Sequence, residues 1–108
     1  MKKTVKKIEN NIVRALTQVC ETCKTFVDGF EWLTHTVDHS NFPASLMVTC
    51  AFDSEEALSR AMSQQHDVAM IAMIHKQLLN VGIVLKKSKQ HVRFATEQDV
   101  AHLLSGAN

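Results

Sequence analysis

The spacing of apolar residues along the chain changes period several times, and each change marks an element. Between residues 3 and 27, Val5, Ile8, Ile12, Ala15, Val19, Thr22 and Phe26 recur at steps of three and four, which predicts one long helix. Val13, Leu16, Cys20, Cys23 and Val27 widen the stripe in its second half, as expected where a helix enters a core. The first two turns carry only Val5 and Ile8, the mark of a partly exposed end. At about 1.5 Å per residue the helix is slightly longer than a globule of this size is wide. Its first turns therefore overhang, bend at Asn10–Asn11, or meet a partner.

Asp28–Gly29 ends the helix, and the period becomes two. From Phe30 to Val37, Trp32, Thr34 and Thr36 fall on one face and Leu33, His35 and Val37 on the other. After the turn-rich loop DHSNFPA, SLMVTCAF alternates again, with Leu46, Val48, Cys50 and Phe52 opposite Met47, Thr49 and Ala51. These strands read as an antiparallel hairpin. Asp53 with Glu56 predicts a capping box opening a short helix through Leu58 and Met62. A further helix runs from about His66–Asp67 to Val81, where Gly82 supplies a left-handed terminal residue. Its centre, VAMIAMI at 68–74, is apolar all round. A third strand is expected over 91–95, paired with 83–85 across a lysine turn. Thr96 and Asp99 predict a second capping box and a short last helix with Val100, Leu103 and Leu104. The order α-β-β-α-α-β-α describes a single α+β domain over 1–108, its helices packed on one face of a small antiparallel sheet.

Composition supports a self-sufficient core: 108 residues, 45% apolar and 21% charged. No apolar run approaches the ~20 residues that span a bilayer. The basic start MKKTVKKIENN lacks a following apolar segment, so no secretory signal is expected. Three cysteines, an odd number, then fit free thiols in a reducing cytoplasm.

The net charge of +1 conceals a pattern. Lys2, Lys3, Lys6, Lys7 and Arg14 face only Glu9 in residues 1–14, and Lys86, Lys87, Lys89 and Arg93 face no acid in 86–93. Between them, three basic residues stand among eight acidic ones. If the fold unites the two clusters, they form a patch that attracts phosphates.

The stretch CETCKTFVDGFEWLTHTVDH sets Cys20, Cys23, His35 and His39 at C-x2-C-x11-H-x3-H, one residue short of a zinc-finger spacing. The metal reading is disfavoured. The cysteines lie within a helical pattern, the histidines on a strand and its loop, and Asp28–Gly29 stands where the finger's helix should begin. A redox C-x-x-C belongs at a helix N-terminus, whereas this pair lies near a C-terminus. Cys50 assisted by His35 lacks an orienting acid and an oxyanion hole. No phosphate-cradling glycine loop, H-E-x-x-H or recognisable carboxylate pair is present.

The expectation is thus a non-enzymatic protein without metal or cofactor that binds a macromolecule. A homodimer through the Val5, Ile8 and Ile12 seam would bury what the overhanging helix exposes. Met70 and Met73 in the 68–74 segment suit either a core or an adaptable surface. The alternative is binding of DNA or RNA by Lys2, Lys3, Lys6, Lys7, Lys86, Lys87, Lys89 and Arg93, although the pI is only 7.8, Tyr is absent and no RNP-like aromatic signature is present.

The string GFEWLTHTVDHSNFPASLMVTCAFDS adds a resemblance. Its GF-WLTH, FPASL and V-C-FD elements resemble a family of small gammaproteobacterial proteins without an established activity, and the similarity runs from MKKT through VRFATE. Some members carry the label "Fis family transcriptional regulator". Fis proteins resemble one another through a C-terminal helix-turn-helix, whereas this chain has a lysine turn, a strand and AHLLSGAN there. A Gly-Gly-Asp-Trp-like ending found in relatives is also missing. The resemblance implies the same fold and a bacterial cytoplasm, and it carries over no functional residue.

Overall fold

Helix α1 (Lys2–Cys23) forms where the three-four spacing predicts it, and its stripe buries Ile12, Ala15, Leu16, Val19 and Cys23. These coordinates are a computed structural model that describes the backbone of residues 2–104 and the side chains of 5–101. Lys2, Lys3, Leu103 and Leu104 keep their places on helices, but their side chains lie outside the described residues, as does 105–108 altogether. Val5, Lys6 and Lys7 are exposed, so the first turns form the expected free end. The helix stops four residues earlier than its pattern, because residues 24–27 tighten into a turn. There Val27 N–H donates to Cys23 O at 2.8 Å and Val27 still reaches the core.

Strands β1 (Phe30–Thr36) and β2 (Met47–Phe52) pair antiparallel, from Phe30 opposite Phe52 to Thr36 opposite Met47, with an irregularity between Phe30 and Trp32. The alternation assigned their faces correctly. Val48, Cys50 and Phe52 are fully buried on the face that receives α1, α2 (Glu55–Ser63) and α3 (His66–Asn80). Helix α3 contributes Met70, Ile74 and Leu78 to this core while Val68 is 60% exposed, so the all-round apolar segment buries one stripe only. Gly82 follows it with φ 85°, as expected.

The third strand differs from expectation. β3 (Val92–Thr96) pairs with β2, in parallel, from Val48 opposite Val92 to Phe52 opposite Thr96. The sheet is therefore mixed, in the order β1-β2-β3. A parallel partner needs a long crossover, and α2 with α3 supplies it. Residues 83–85 form no strand. Ile83 and Leu85 plug the core and Val84 points outward, which imitates the strand period without any ladder.

Helix α4 (Glu97–Leu104) corrects a second expectation, that all helices share one face. Ala51 and Ala95 point away from the main core, and Val100 of α4 packs on them beside Trp32. Thr96 Oγ1 accepts from Asp99 N–H at 3.2 Å, and Trp32 Nε1–H donates to Glu97 Oε1 at 3.1 Å. The cap of α2 falls one residue after the expected Asp53: Ser54 Oγ accepts from Ala57 N–H. Asp53 N–H instead donates to Gly29 O at 2.8 Å, closing the chain back on the start of β1.

Candidate binding surface at the basic end

The register gives the sheet two distinct ends. One end carries Phe30, Phe52 and Thr96; the other carries Thr36, Met47 and Val92. Helices α2 and α4 begin at the first end, directly after β2 and β3. So does α3, because Phe26, just before β1, meets His66 in an edge-to-face contact at 5.4 Å. At ~1.5 Å per residue, the 15 residues of α3 carry the chain back to the second end.

This topology sorts charge. Glu21, Asp28, Glu31, Asp53 and Glu55 lie at the first end, as do Glu56, Asp67, Glu97 and Asp99, which is nine of eleven carboxylates. Lys6 and Lys7, on the first turns of α1, belong to the second end, together with Lys76, Lys86, Lys87, Lys89 and Arg93, whereas Lys24, just past α1, and Arg60, which lines a small pocket with Phe26, Asp28 and His66, lie at the first end. Lys2 and Lys3 occupy the same first turn of α1. Among the described residues, no lysine or arginine is within ion-pair distance of a carboxylate. The two clusters, separated by some 80 residues of sequence, thus reach one end of the domain.

The two acids that do lie at the basic end are engaged. Asp38 caps a turn at His39–Asn41, accepting from Ser40 N–H at 3.0 Å and Ser40 Oγ–H at 2.6 Å, and these bonds lower its pKa. Glu9 is clamped between two imidazoles. His35 Nε2–H donates to Oε1 at 3.0 Å and His39 Nε2–H to Oε2 at 2.7 Å. Partial burial of Glu9 works to raise its pKa, but the two hydrogen bonds and the charge on the rings when protonated outweigh it, so the carboxyl titrates below its ordinary value. The clamp fastens the free end of α1 to β1 and to the loop that follows. Sequence reasoning missed Glu9, since nothing in a lone acid among lysines announces partners 26 and 30 residues away.

That loop joins the two basic clusters. On one side His39 holds α1. On the other, its Pro43 and Ala44 face Val84, Lys86 and Lys87 across an open hollow of about 420 Å³ that Gln90 and His91 complete. His91 Nδ1–H donates to Leu46 O at 2.7 Å and ties the second cluster to the start of β2. Arg93 is exposed on the open face of β3, beyond this hollow.

The Cys20–Cys23 and His35–His39 pairs serve different neighbourhoods. Both histidines turn to Glu9. Cys23 is wholly buried, and Cys20, half-buried, lines a shallow apolar groove with Val13, Leu16 and Leu33. Burial, with Cys20 nearby, pushes the Cys23 thiol up to about 11; burial also raises Cys50, with smaller additions from Cys23 and Cys20. A thiol held protonated in this way is a poor nucleophile and a poor metal ligand. Among the described residues no three His, Cys, Asp or Glu side chains converge as metal ligands, and no described helix is long and apolar enough to cross a membrane. Ile12 of the expected dimer seam is fully buried, Ile8 packs partly against the core, and Val5 remains exposed. Of the three, only Ile12 is wholly internal. No family model matches the chain, and no curated protein or solved structure shows significant similarity to it.

Proposed function

We propose that this domain is a non-enzymatic cytoplasmic protein that binds a polyanionic macromolecule, nucleic acid foremost, through its basic end. The observation that carries the reading is the segregation of charge: among the described residues, Lys6 and Lys7 from one end of the sequence and Lys86, Lys87 and Lys89 from the other share this end of the domain without an ion pair, while the local acids are engaged by His35, His39 and Ser40. Phosphate contacts require accessible cations on a fixed scaffold, and Lys86, Lys87 and Lys89 stand on a segment anchored by Ile83, Leu85 and His91. Free thiols at Cys20, Cys23 and Cys50 suit a reducing compartment. Kinship with the gammaproteobacterial family, resting on the GF-WLTH and FPASL strings, belongs to the same proposal.

Anisotropy titrations with labelled DNA and RNA across a salt series test the reading. Affinity falls linearly with salt on logarithmic axes, and removing Lys86, Lys87 and Lys89 together flattens the slope by about 2–3. Absence of binding at about 50 mM salt would sink the proposal.

A second reading, self-association, draws on a different observation. β1 is an edge strand, and Val13, 51% exposed, lies in the groove beside Leu33. A second copy adding its own β1 would bury that edge, in place of the Val5–Ile8–Ile12 seam. Light scattering over a concentration series decides it: a mass that rises in the native chain and stays monomeric in Val13→Glu supports the dimer, and a constant monomer removes it.

A further inference from the structure

The hollow at the basic end combines three kinds of surface. Its floor is apolar, made by Pro43, Ala44 and Val84; Val84 is 53% exposed because its neighbours Ile83 and Leu85 are held in the core. Its cations are Lys86 and Lys87, and no carboxylate lines it. Its remaining polar groups are Gln90, whose amide both donates and accepts, and His91. The Nδ1–H of His91 is committed to Leu46 O, which leaves Nε2 as its free ring nitrogen. A ligand that satisfies all three has an anionic group, a flat apolar body and a polar edge. Charge alone does not select this spot, since Lys89 and Arg93 lie outside the hollow. The groove beside α1, of about 350 Å³, is lined by no lysine or arginine.

We infer that this hollow holds one nucleotide unit, with the phosphate on Lys86 and Lys87, the base over Pro43, Ala44 and Val84, and Gln90 at the base edge. The inference rests on the nucleic-acid reading and adds to it that bases, not phosphates alone, are bound. The nucleotide comes either from a single strand or free in solution.

The test compares an eight-residue oligothymidylate with an abasic strand of equal phosphate count, using the full chain at low salt. The oligothymidylate binds roughly ten-fold more tightly, as burial of apolar base surface on Pro43, Ala44 and Val84 supplies. Val84→Ser, at an exposed position, removes that advantage. Lys87→Ala weakens the oligothymidylate more than Lys89→Ala does. Thymidine monophosphate, followed by amide shifts over residues 84–91, separates the sources: shifts there indicate that the free nucleotide suffices, and shifts with the strand alone assign the hollow to single-stranded nucleic acid. Equal affinity for both strands, or an advantage that survives Val84→Ser, overturns the inference while leaving the basic-end reading intact. Failure of both strands to bind overturns both.

Discussion

The carboxylate of Glu9 and the imidazole of His39, thirty residues apart in sequence, meet at 2.7 Å, and with His35 at 3.0 Å they fix the free end of α1 to the sheet. Glu9→Gln keeps the shape and loses the charge. It should destabilise the fold by about 1 kcal/mol in urea unfolding at neutral pH, the modest value appropriate to a partly solvated carboxylate. The stability Glu9 supplies is complete above the pKa of an unfolded glutamate and is lost as pH falls through its lower folded value. Below about pH 4.5, the difference between native chain and variant should therefore shrink towards zero. A difference that persists unchanged under acid would show that the clamp does not depend on the carboxylate's charge.

Gly29 has φ 83°, and a Cβ there would overlap Ala57 Cβ on α2. Gly29→Ala should cost about 2–4 kcal/mol, combining left-handed backbone strain with forced displacement of a helix. Gly82, with φ 85° but open space around it, isolates the first effect. Gly82→Ala should cost only about 1 kcal/mol. Denaturant melts of the two variants, compared side by side, measure the packing contribution by difference.

The three thiols should separate by reactivity. With Cys23 and Cys50 fully buried and their pKa values raised, Cys20 alone should react quickly with a thiol reagent at neutral pH. Stopped-flow labelling followed by peptide mass mapping should find one fast site, and the other two should modify at the rate of opening. Fast modification of Cys23 would contradict its burial.

Trp32 is the single tryptophan and lies under α4, where its indole N–H meets Glu97. Val100→Ala should loosen this layer at a cost of about 1–3 kcal/mol and shift Trp32 emission to the red. The same substitution should speed amide exchange more in α4 than in α1 and α3, because those helices belong to the opposite core.

Local pattern was enough for the elements whose partners are near in sequence. The stripe of α1, the two faces of the β1–β2 hairpin and the Gly82 terminator follow from the period and from backbone sterics. What failed depended on distant partners. Ile83, Val84 and Leu85 alternate as a strand does, yet two of them alternate into a helical core, and the true neighbour of β3 lies beyond two helices. The cap shifted from Asp53 to Ser54 because both residues satisfy the same local rule. The candidate surface was half legible: the lysine clusters were plain, whereas their convergence required the course of α3, and the role of Glu9 required the whole fold.

The sorting of charge has a consequence that precedes any contact. The acidic residues Glu55, Glu56, Asp67, Glu97 and Asp99 open α2, α3 and α4, where the helix dipole favours them, so the fold's own stability maintains the negative pole. Topology then leaves every described lysine but Lys24 towards the far side. A body with its poles so separated experiences a torque in the field of any polyanion. On the proposed function, the domain would rotate as it diffuses and arrive with the basic end leading, its orientation selected by long-range attraction before contact.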